Sequence, residues 1–321
     1  MLSRVADNLY WMNRYVERAE SVIRLVEVNQ DTLLEIAGNK AMEQFWFSAL
    51  QAFCAEEYMV QEKDASVEKF FVFSNEWPSS VRNCIYSARE NARMVRDQLS
   101  EEIWVELNSI YHFFRNSDAE GLFKGNSRQF YRRLLRFSLV FQGLSDSTVH
   151  HDEGWRFMSL GKYLERADQT SRVIDALTMK GTIPSRSDLI SALRICSALT
   201  AFRKQYRGEL SLRNVAEFLL FSQDFPRSIR FSIRRIDSYL HDLSGVPSGN
   251  FSNEAERLAG SALATVNFTN IDTMIERGLH ASLDELQFCL KDVGQKIYET
   301  YVMSPVDLSN STEEQGIQSQ Q

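Results

Sequence analysis

Glycine and proline are scarce in this chain, with 14 and 5 residues among 321. Both residues punctuate the turns between strands, so a β-rich fold of this length is not expected. Hydrophobic residues make up 44% of the chain, which is enough for a substantial core. We therefore predict an all-α fold, a bundle of long helices joined by short loops.

Cysteine is also sparse, and no CxxC pair or zinc-finger spacing occurs among the four thiols: Cys54, Cys84, Cys196 and Cys289. The first residues do not form an apolar run that resembles a signal peptide. No stretch of about 18 uncharged apolar residues is long enough to span a bilayer. These absences predict a cytoplasmic protein with reduced cysteines and no membrane partner.

An excess of basic residues is absent as well, because the net charge is −7. Nucleic-acid binding, which needs a basic patch or stripe, is not expected. Two local clusters are interpreted as solvated helix faces or ion-pair partners: Arg132, Arg133 and Arg136, and then Arg227, Arg230, Arg234 and Arg235.

Standard catalytic and metal-binding patterns are missing too. The sequence has no glycine-rich phosphate loop, no dinucleotide fingerprint, no HExxH and no Glu-x-x-His pair. His150, His151 and Asp152 are interpreted as loop or cap residues. Glu276 and His280 have the i,i+4 spacing of a metal-ligand pair, but we interpret them as a surface pair. The sequence therefore predicts no metal and no cofactor.

Helical periodicity is clearest in the first segment, where apolar residues recur at steps of four and three: Val5, Leu9, Met12, Val16, Ala19, Ile23 and Val26. This seam predicts a helix over about 3–37 that stops at Gly38-Asn39. Later helices are expected at about 80–99, 101–118, 127–149, 153–180, 187–207, 211–221, 225–243, 253–266 and 270–302. The segment Gly121 to Asn126 is expected to break the chain between helices, and 304–321 to be a disordered tail.

Two of the expected helices share a polar motif at a constant offset of 148 residues. The first carries Tyr15, Glu17, Arg18, Ala19 and Arg24, and the second carries Tyr163, Glu165, Arg166, Ala167 and Arg172. Amphipathicity alone would match apolar positions but not this polar set. We predict an internal duplication, with halves of roughly 1–150 and 151–303 in one domain, 1–303, related by an approximate two-fold axis.

The geometry of a helix places Glu17 and Arg18 on opposite flanks of the apolar seam. If the two motif helices pack antiparallel, Glu17 reaches Arg166 and Glu165 reaches Arg18. One interpretation is a structural set of ion pairs that fixes helix register. The other is a charged pocket for a ligand, in which one of the paired carboxylates acts as a general acid or base with a raised pKa.

A second group of candidates lies outside the motif helices. Arg89, Arg93 and Arg96 are spaced to share a helix face, which would suit a carboxylate or phosphate. Pairing with Glu90, Asp97 or a neighbouring helix is the structural alternative. A tryptophan begins each motif helix, Trp11 and Trp155, and would mark a partner surface if it faced solvent.

Several blocks of sequence together resemble the alpha-E family, a bacterial all-helical domain named for its Glu-Arg motif. The resemblance covers about 1–303 and rests on Leu9–Glu20, Ser87–Arg93, Gly154–Ala167, Phe218–Leu220 and Phe225–Ser228. It implies partnership with a circularly permuted ATP-grasp amide ligase, which this chain does not itself contain. It also implies transglutaminase-like or proteasome-like peptidase components nearby. The family has no established reaction of its own, so no catalytic residues carry over.

Three functions stay open from the sequence. The leading one is an accessory or scaffold protein of a peptide-synthesis or peptide-modification system that works with a separate ATP-grasp ligase. The alternative is a stand-alone helical transferase or hydrolase whose pocket uses Glu17, Arg18, Glu165 and Arg166. A general interaction scaffold unrelated to peptide ligation is the third.

Overall fold

The structure, a computed structural model, describes residues 2–35, 39–62, 65–179 and 183–303, with the side chains of 31–45 excepted. The expected stop at Gly38 and the expected tail at 304–321 lie outside these residues.

The described part is all-α and contains no strand. Its helices are α1 Ser3–Glu35, α2 Asn39–Ala52, α3 Glu56–Gln61, α4 Val67–Phe73, α5 Val81–Met94, α6 Glu101–Arg115, α7 Asp118–Gly125, α8 Ser127–Ser147, α9 Glu153–Thr178, α10 Arg186–Ile195, α11 Leu199–Tyr206, α12 Leu212–Phe221, α13 Ile229–Ser244, α14 Glu254–Phe268, α15 Ile271–Arg277 and α16 Leu279–Tyr301.

The two motif helices, α1 and α9, pack against each other at the centre of the bundle. Helices α5, α8 and α10 also cover α1, while α2, α13 and α16 cover α9. The two central helices approach closely at Gly161, where an added Cβ would lie 2.1 Å from the carbonyl oxygen of Tyr10. Only glycine permits this approach, so the crossing point of the central helices depends on one residue.

Polar side chains cap most helix starts. Ser80 accepts a hydrogen bond from the backbone N–H of Asn83 and so caps α5. Asp152 accepts from the N–H groups of Gly154 and Trp155 and caps α9, which confirms its interpretation as a cap residue. The Asp152 cap fixes where α9, the second motif helix, begins.

Two helix breaks differ from the sequence-based expectation. Residues 121–126 were expected to be a break but belong largely to α7, and the chain turns earlier, at Ser117, whose φ is 62°. The helix expected over 187–207 is interrupted at Ser197, with φ of 54°. Both turns use a serine in the left-handed region, where non-glycine residues are uncommon, so composition gives no warning of them.

The expected last helix, 270–302, is also two helices. Gly278, with φ of 95°, ends α15 and precedes α16. Glu276 and His280 therefore lie on different helices, and the i,i+4 geometry expected for this pair is wrong. The left-handed region favours glycine, and this glycine redirects the chain before His280.

Buried apolar side chains form one core cluster that reaches from α1 to α16. The four cysteines are free thiols, and Cys84 and Cys196 are buried. Among the described residues, no helix has the combination of length and apolar character needed to cross a bilayer.

Candidate functional site

Glu165 of α9 lies fully buried against two arginines of α1. Arg18 binds it through a two-pronged contact, with Nε donating to Oε1 at 2.5 Å and Nη2 to Oε2 at 2.9 Å. The Nε atom of Arg14 donates to Oε2 at 2.9 Å, and Gln169 donates to Oε1 at 2.9 Å. The carboxylate is thus surrounded by donors, and charge-assisted bonds of this kind are the strong ones.

Glu17 of α1 makes the reciprocal contact with α9. Arg166 donates Nε to Oε1 at 2.7 Å and Nη2 to Oε2 at 2.9 Å. Gln142 of α8 donates to Oε2 at 3.1 Å, and Arg227 donates to Oε1 at 3.2 Å. Both ion pairs predicted from the repeat are therefore present, each in bidentate geometry. The internal duplication and its two-fold axis stay predictions.

One turn further along each motif helix, a second acidic residue holds the later arginine of the motif. Arg24 donates to Glu20 at 2.9 Å in α1, and Arg172 donates to Asp168 at 2.8 Å in α9. The two pairs have different surroundings. Glu20 is buried and also accepts from Arg227, whereas Asp168 and Arg172 line an open cleft.

The ionisation of the buried carboxylates follows from these contacts. Burial alone raises the pKa of Glu165, but Arg18 and Arg14 outweigh it and lower the pKa to about 2. Burial likewise raises the pKa of Glu17, and Arg166 and Arg227 lower it to about 2. Lys162 occupies the position in α9 that Arg14 has in α1, and burial together with Arg166 lowers its pKa to about 8. Both glutamates are therefore anions at neutral pH.

The motif tyrosines lie beneath the motif arginines. The guanidinium of Arg18 is 5.8 Å from the ring centre of Tyr15, and that of Arg166 is 5.5 Å from that of Tyr163. These are cation–π distances. The tyrosine is thus part of the structure that orients each arginine toward the opposite helix.

The secondary candidates lie apart from this network. Arg89 and Arg93 both donate to Glu90, at 2.5 and 2.9 Å, which is the structural alternative considered from the sequence. Arg96 follows the end of α5, in the 3₁₀ turn Arg96–Gln98, so the face shared by three arginines is not formed.

The two tryptophans of the motif helices are only partly buried: Trp155 lies in the first turn of α9, whereas Trp11 lies in the third turn of α1. Trp155 donates its indole N–H to the carbonyl of Ser145 and packs edge-on against Tyr239. Trp11 lies under the guanidinium of Arg14, 4.8 Å from it, and lines the cleft. Of the two, Trp11 is therefore the one placed to meet a ligand there.

An open cleft of about 710 Å³ lies between α1, α9 and α16. Arg14 and Arg18 form part of one wall, with Glu165 buried behind them. A guanidinium has five N–H donors, and the bonds of Arg14 to Glu165 and Tyr10 use two of its nitrogens. These bonds thus hold Arg14 in a fixed position on the wall of the cleft. We call this space the α1–α9–α16 cleft.

The opposite wall, on α16, combines apolar side chains with a lysine and the carboxylate of Asp284. Phe288 is 64% exposed, and Tyr298 and Lys291 also line the cleft. Two residues that line it each have a buried side-chain atom with no hydrogen-bond partner among the described residues: Oδ1 of Asp7, an acceptor, and Nε2 of Gln287, a donor. Such orphaned groups are costly unless a ligand or water satisfies them.

Sequence reasoning missed Gln142, Arg227 and the cleft wall on α16. Arg227 belongs to a cluster interpreted as solvated helix faces or ion-pair partners, and it is an ion-pair partner: it is 14% exposed and bound to Glu17 and Glu20. No spacing connects it to α1, because it comes from the segment before α13. The one sequence signal for Arg227 was that it falls in Phe225–Ser228, one of the blocks that resemble the alpha-E family.

The protein belongs to the Alpha-E family. Residues 1–302 match that family, which is described as a predicted alpha-helical domain with a conserved ER motif. In this chain, the consecutive pairs Glu17-Arg18 and Glu165-Arg166 are Glu-Arg sequences whose ion pairs join α1 to α9.

Curated relatives occur in mycobacteria. An uncharacterized protein of Mycobacterium bovis is 25% identical over 337 residues, covering 94% of this chain and 37% of its own length. Uncharacterized proteins from two strains of Mycobacterium tuberculosis are 25% and 24% identical with the same coverage. This chain thus spans little more than a third of the relatives it matches. No solved structure matches it.

Proposed function

We propose that this chain is a cytoplasmic accessory protein that holds a peptide in the α1–α9–α16 cleft for a separate ATP-grasp amide ligase. The observation that carries the proposal is the arginine wall, because Glu165 fixes Arg14 and Arg18 at the edge of a large open cleft. Arginine is well suited to recognising carboxylates. A peptide with a free carboxylate is therefore the ligand class that this wall favours.

The other features of the cleft suit a peptide. Asp7 and Gln287 line the cleft and offer an acceptor and a donor for the N–H and C=O of a peptide group. Exposed Phe288 and Tyr298 offer aromatic surface to apolar side chains. The ligase as partner rests on the family resemblance, and the greater length of the mycobacterial relatives suits a domain that works beside another.

The alternative of a stand-alone transferase or hydrolase has less support. A general acid at neutral pH needs a carboxyl group with a raised pKa. The pKa values of Glu17 and Glu165 are instead lowered to about 2, and arginine donors bind both oxygens of each. These two glutamates are better suited to holding helices and arginines in place.

The test is reconstitution with the ATP-grasp ligase of the same genome. We expect the two proteins to co-elute in near-stoichiometric amounts, and we expect this chain to raise the rate of ATP-dependent amide formation. Phe288→Ser and Lys291→Ala, both on the cleft wall, should lower that stimulation while leaving the far-UV circular dichroism unchanged.

The matched control is Phe268→Ser, because Phe268 is 90% exposed and does not line the cleft. This variant should stimulate the ligase as the parent chain does. If the ligase neither binds the chain nor responds to it, the accessory function is wrong. If the chain alone converts a peptide without ligase or ATP, the enzyme alternative takes its place.

A further inference from the structure

A histidine on α16 lies between two carboxylates, one buried and one exposed. The Nδ1 atom of His280 is 2.7 Å from Oδ1 of Asp175, and its Nε2 atom is 3.5 Å from Oδ2 of Asp284. The three residues offer ligand atoms within 4.8 Å of one another. Asp175 comes from α9, 105 positions earlier in the chain, so sequence spacing could not reveal the cluster.

The two distances have different meanings. At 2.7 Å the contact with Asp175 is a hydrogen bond, and since a carboxylate only accepts, Nδ1 carries the proton. In the neutral ring the lone pair then belongs to Nε2, which faces Asp284. A lone pair beside an anion is repulsive, so this pair requires either a second proton or a cation between its members.

The second distance fits a shared metal ion. Zinc binds histidine nitrogen and carboxylate oxygen at about 2.0–2.2 Å, so two ligand atoms at a tetrahedral angle lie about 3.3–3.5 Å apart. His280 and Asp284 are i,i+4 on one helix, the spacing that places two ligands on one face.

The carboxylate of Asp175, which contacts the other ring nitrogen of His280, matches a common feature of metal-binding histidines. Histidines that bind metals nearly always donate the other ring N–H to a carboxylate, carbonyl or water, which fixes the ring and increases its basicity. Asp175 is 2% exposed, and its Oδ1 also accepts from the hydroxyl of Thr178 at 2.9 Å. It is thus a buried, oriented carboxylate in the place where such a metal site needs one.

We propose that Nε2 of His280 and the carboxylate of Asp284 bind a zinc-type divalent cation, oriented by the hydrogen bond from His280 to Asp175. The two carboxylates offset the double charge of the ion. Two protein ligands leave coordination positions open to water or to a carboxylate. Asp284 lines the α1–α9–α16 cleft, so the cation lies at its edge. This proposal does not depend on the proposed partnership with a ligase.

The test is calorimetric titration with Zn²⁺ alone. It is carried out in a Cys54→Ser background, because Cys54 is an exposed thiol and thiolates bind zinc themselves. We expect saturable binding of one ion per chain. His280→Ala and Asp284→Asn each remove a proposed ligand and should abolish binding, and Asp175→Asn should weaken it about 10- to 100-fold. Half-exposed His280 tolerates substitution, which thermal melting of each variant checks.

The matched control is His241 of α13, which follows Asp237 by four residues and has its Nε2 atom 3.6 Å from Oδ1 of that aspartate. Its Nδ1 atom is buried and has no partner within the described part of the chain, so the orienting carboxylate is missing. His241→Ala should leave Zn²⁺ binding unchanged. Absence of saturable binding, or binding that survives in His280→Ala, overturns the proposal and leaves a histidine–carboxylate ion pair.

Discussion

At the residue scale, the stability of the bundle depends on two carboxylates that have almost no contact with solvent. Glu165 is fully buried and Glu17 is 2% exposed. Taking such charges out of water is costly, and the arginines offset that cost only while each pair is complete. Removing one carboxylate therefore lowers the free energy of unfolding by more than the intact ion pair contributes to it.

Glu165→Gln should lower the free energy of unfolding by about 3–5 kcal/mol, because Arg14 and Arg18 would lose their common counter-charge. Urea denaturation measures this. Glu90→Gln is the matched control: Glu90 also binds two arginines but is 50% exposed, and surface pairs contribute about 1 kcal/mol or less. Equal effects of the two substitutions would contradict the structural role of the buried pair.

Acid should destabilise the protein through the same groups. The pKa values of Glu17 and Glu165 fall from the ordinary 4.5 to about 2 on folding. A lowered pKa contributes stability that is present above pH 4.5 and is lost as the pH falls toward 2. Urea midpoints measured from pH 6 to pH 2 should therefore decline across that window, and less steeply in the Glu17→Gln, Glu165→Gln double variant. Parallel curves for the two proteins would refute this assignment.

At the element scale, α1 and α9 could be predicted from the sequence, and so could the ion pairs between them. The apolar seam predicted the first helix, and the constant offset between the two Glu-Arg motifs predicted the second helix and the pairing. The turns at Ser117 and Ser197 could not be predicted, because tertiary packing holds two serines in the left-handed region. The roles of Gln142, Arg227 and Asp175 were also out of reach, since each meets a partner far away along the chain and leaves no local pattern.

The contact between α1 and α9 should be sensitive to one methyl group. Gly161→Ala places a Cβ 2.1 Å from the backbone of Tyr10, so the helices must separate. We expect a loss of about 2–3 kcal/mol or more in the free energy of unfolding. Gly143→Ala in α8 is the control, because nothing lies within 4 Å of its added Cβ; it should be neutral or stabilising by up to about 1 kcal/mol. A stable Gly161→Ala variant would argue against so close a crossing.

At the scale of the whole molecule, the halves 1–150 and 151–303 share the central helix pair. Helix α1 belongs to the first half and α9 to the second, and their contact contains both buried ion pairs. A fragment that ends between them exposes apolar surface together with unpaired buried charges. We therefore expect that neither half folds by itself.

The fragments 1–150 and 151–303, produced separately, should lack a cooperative thermal transition by circular dichroism. Mixed or co-expressed, they should associate and regain one, since complementation restores the α1–α9 contact. The intact chain 1–303 provides the reference transition. A cooperative melt of either fragment alone would show that its half is an independent folding unit.

The exchange of partners between α1 and α9 also couples the substitutions that the two helices can tolerate. Loss of the charge at Glu17 leaves Arg166 of the other helix without its counter-charge, and loss of the charge at Glu165 does the same to Arg18 and Arg14. A substitution that restores the balance of charge would therefore have to be made on the other motif helix. The two Glu-Arg motifs constrain each other across the helix contact, so neither can be redesigned alone.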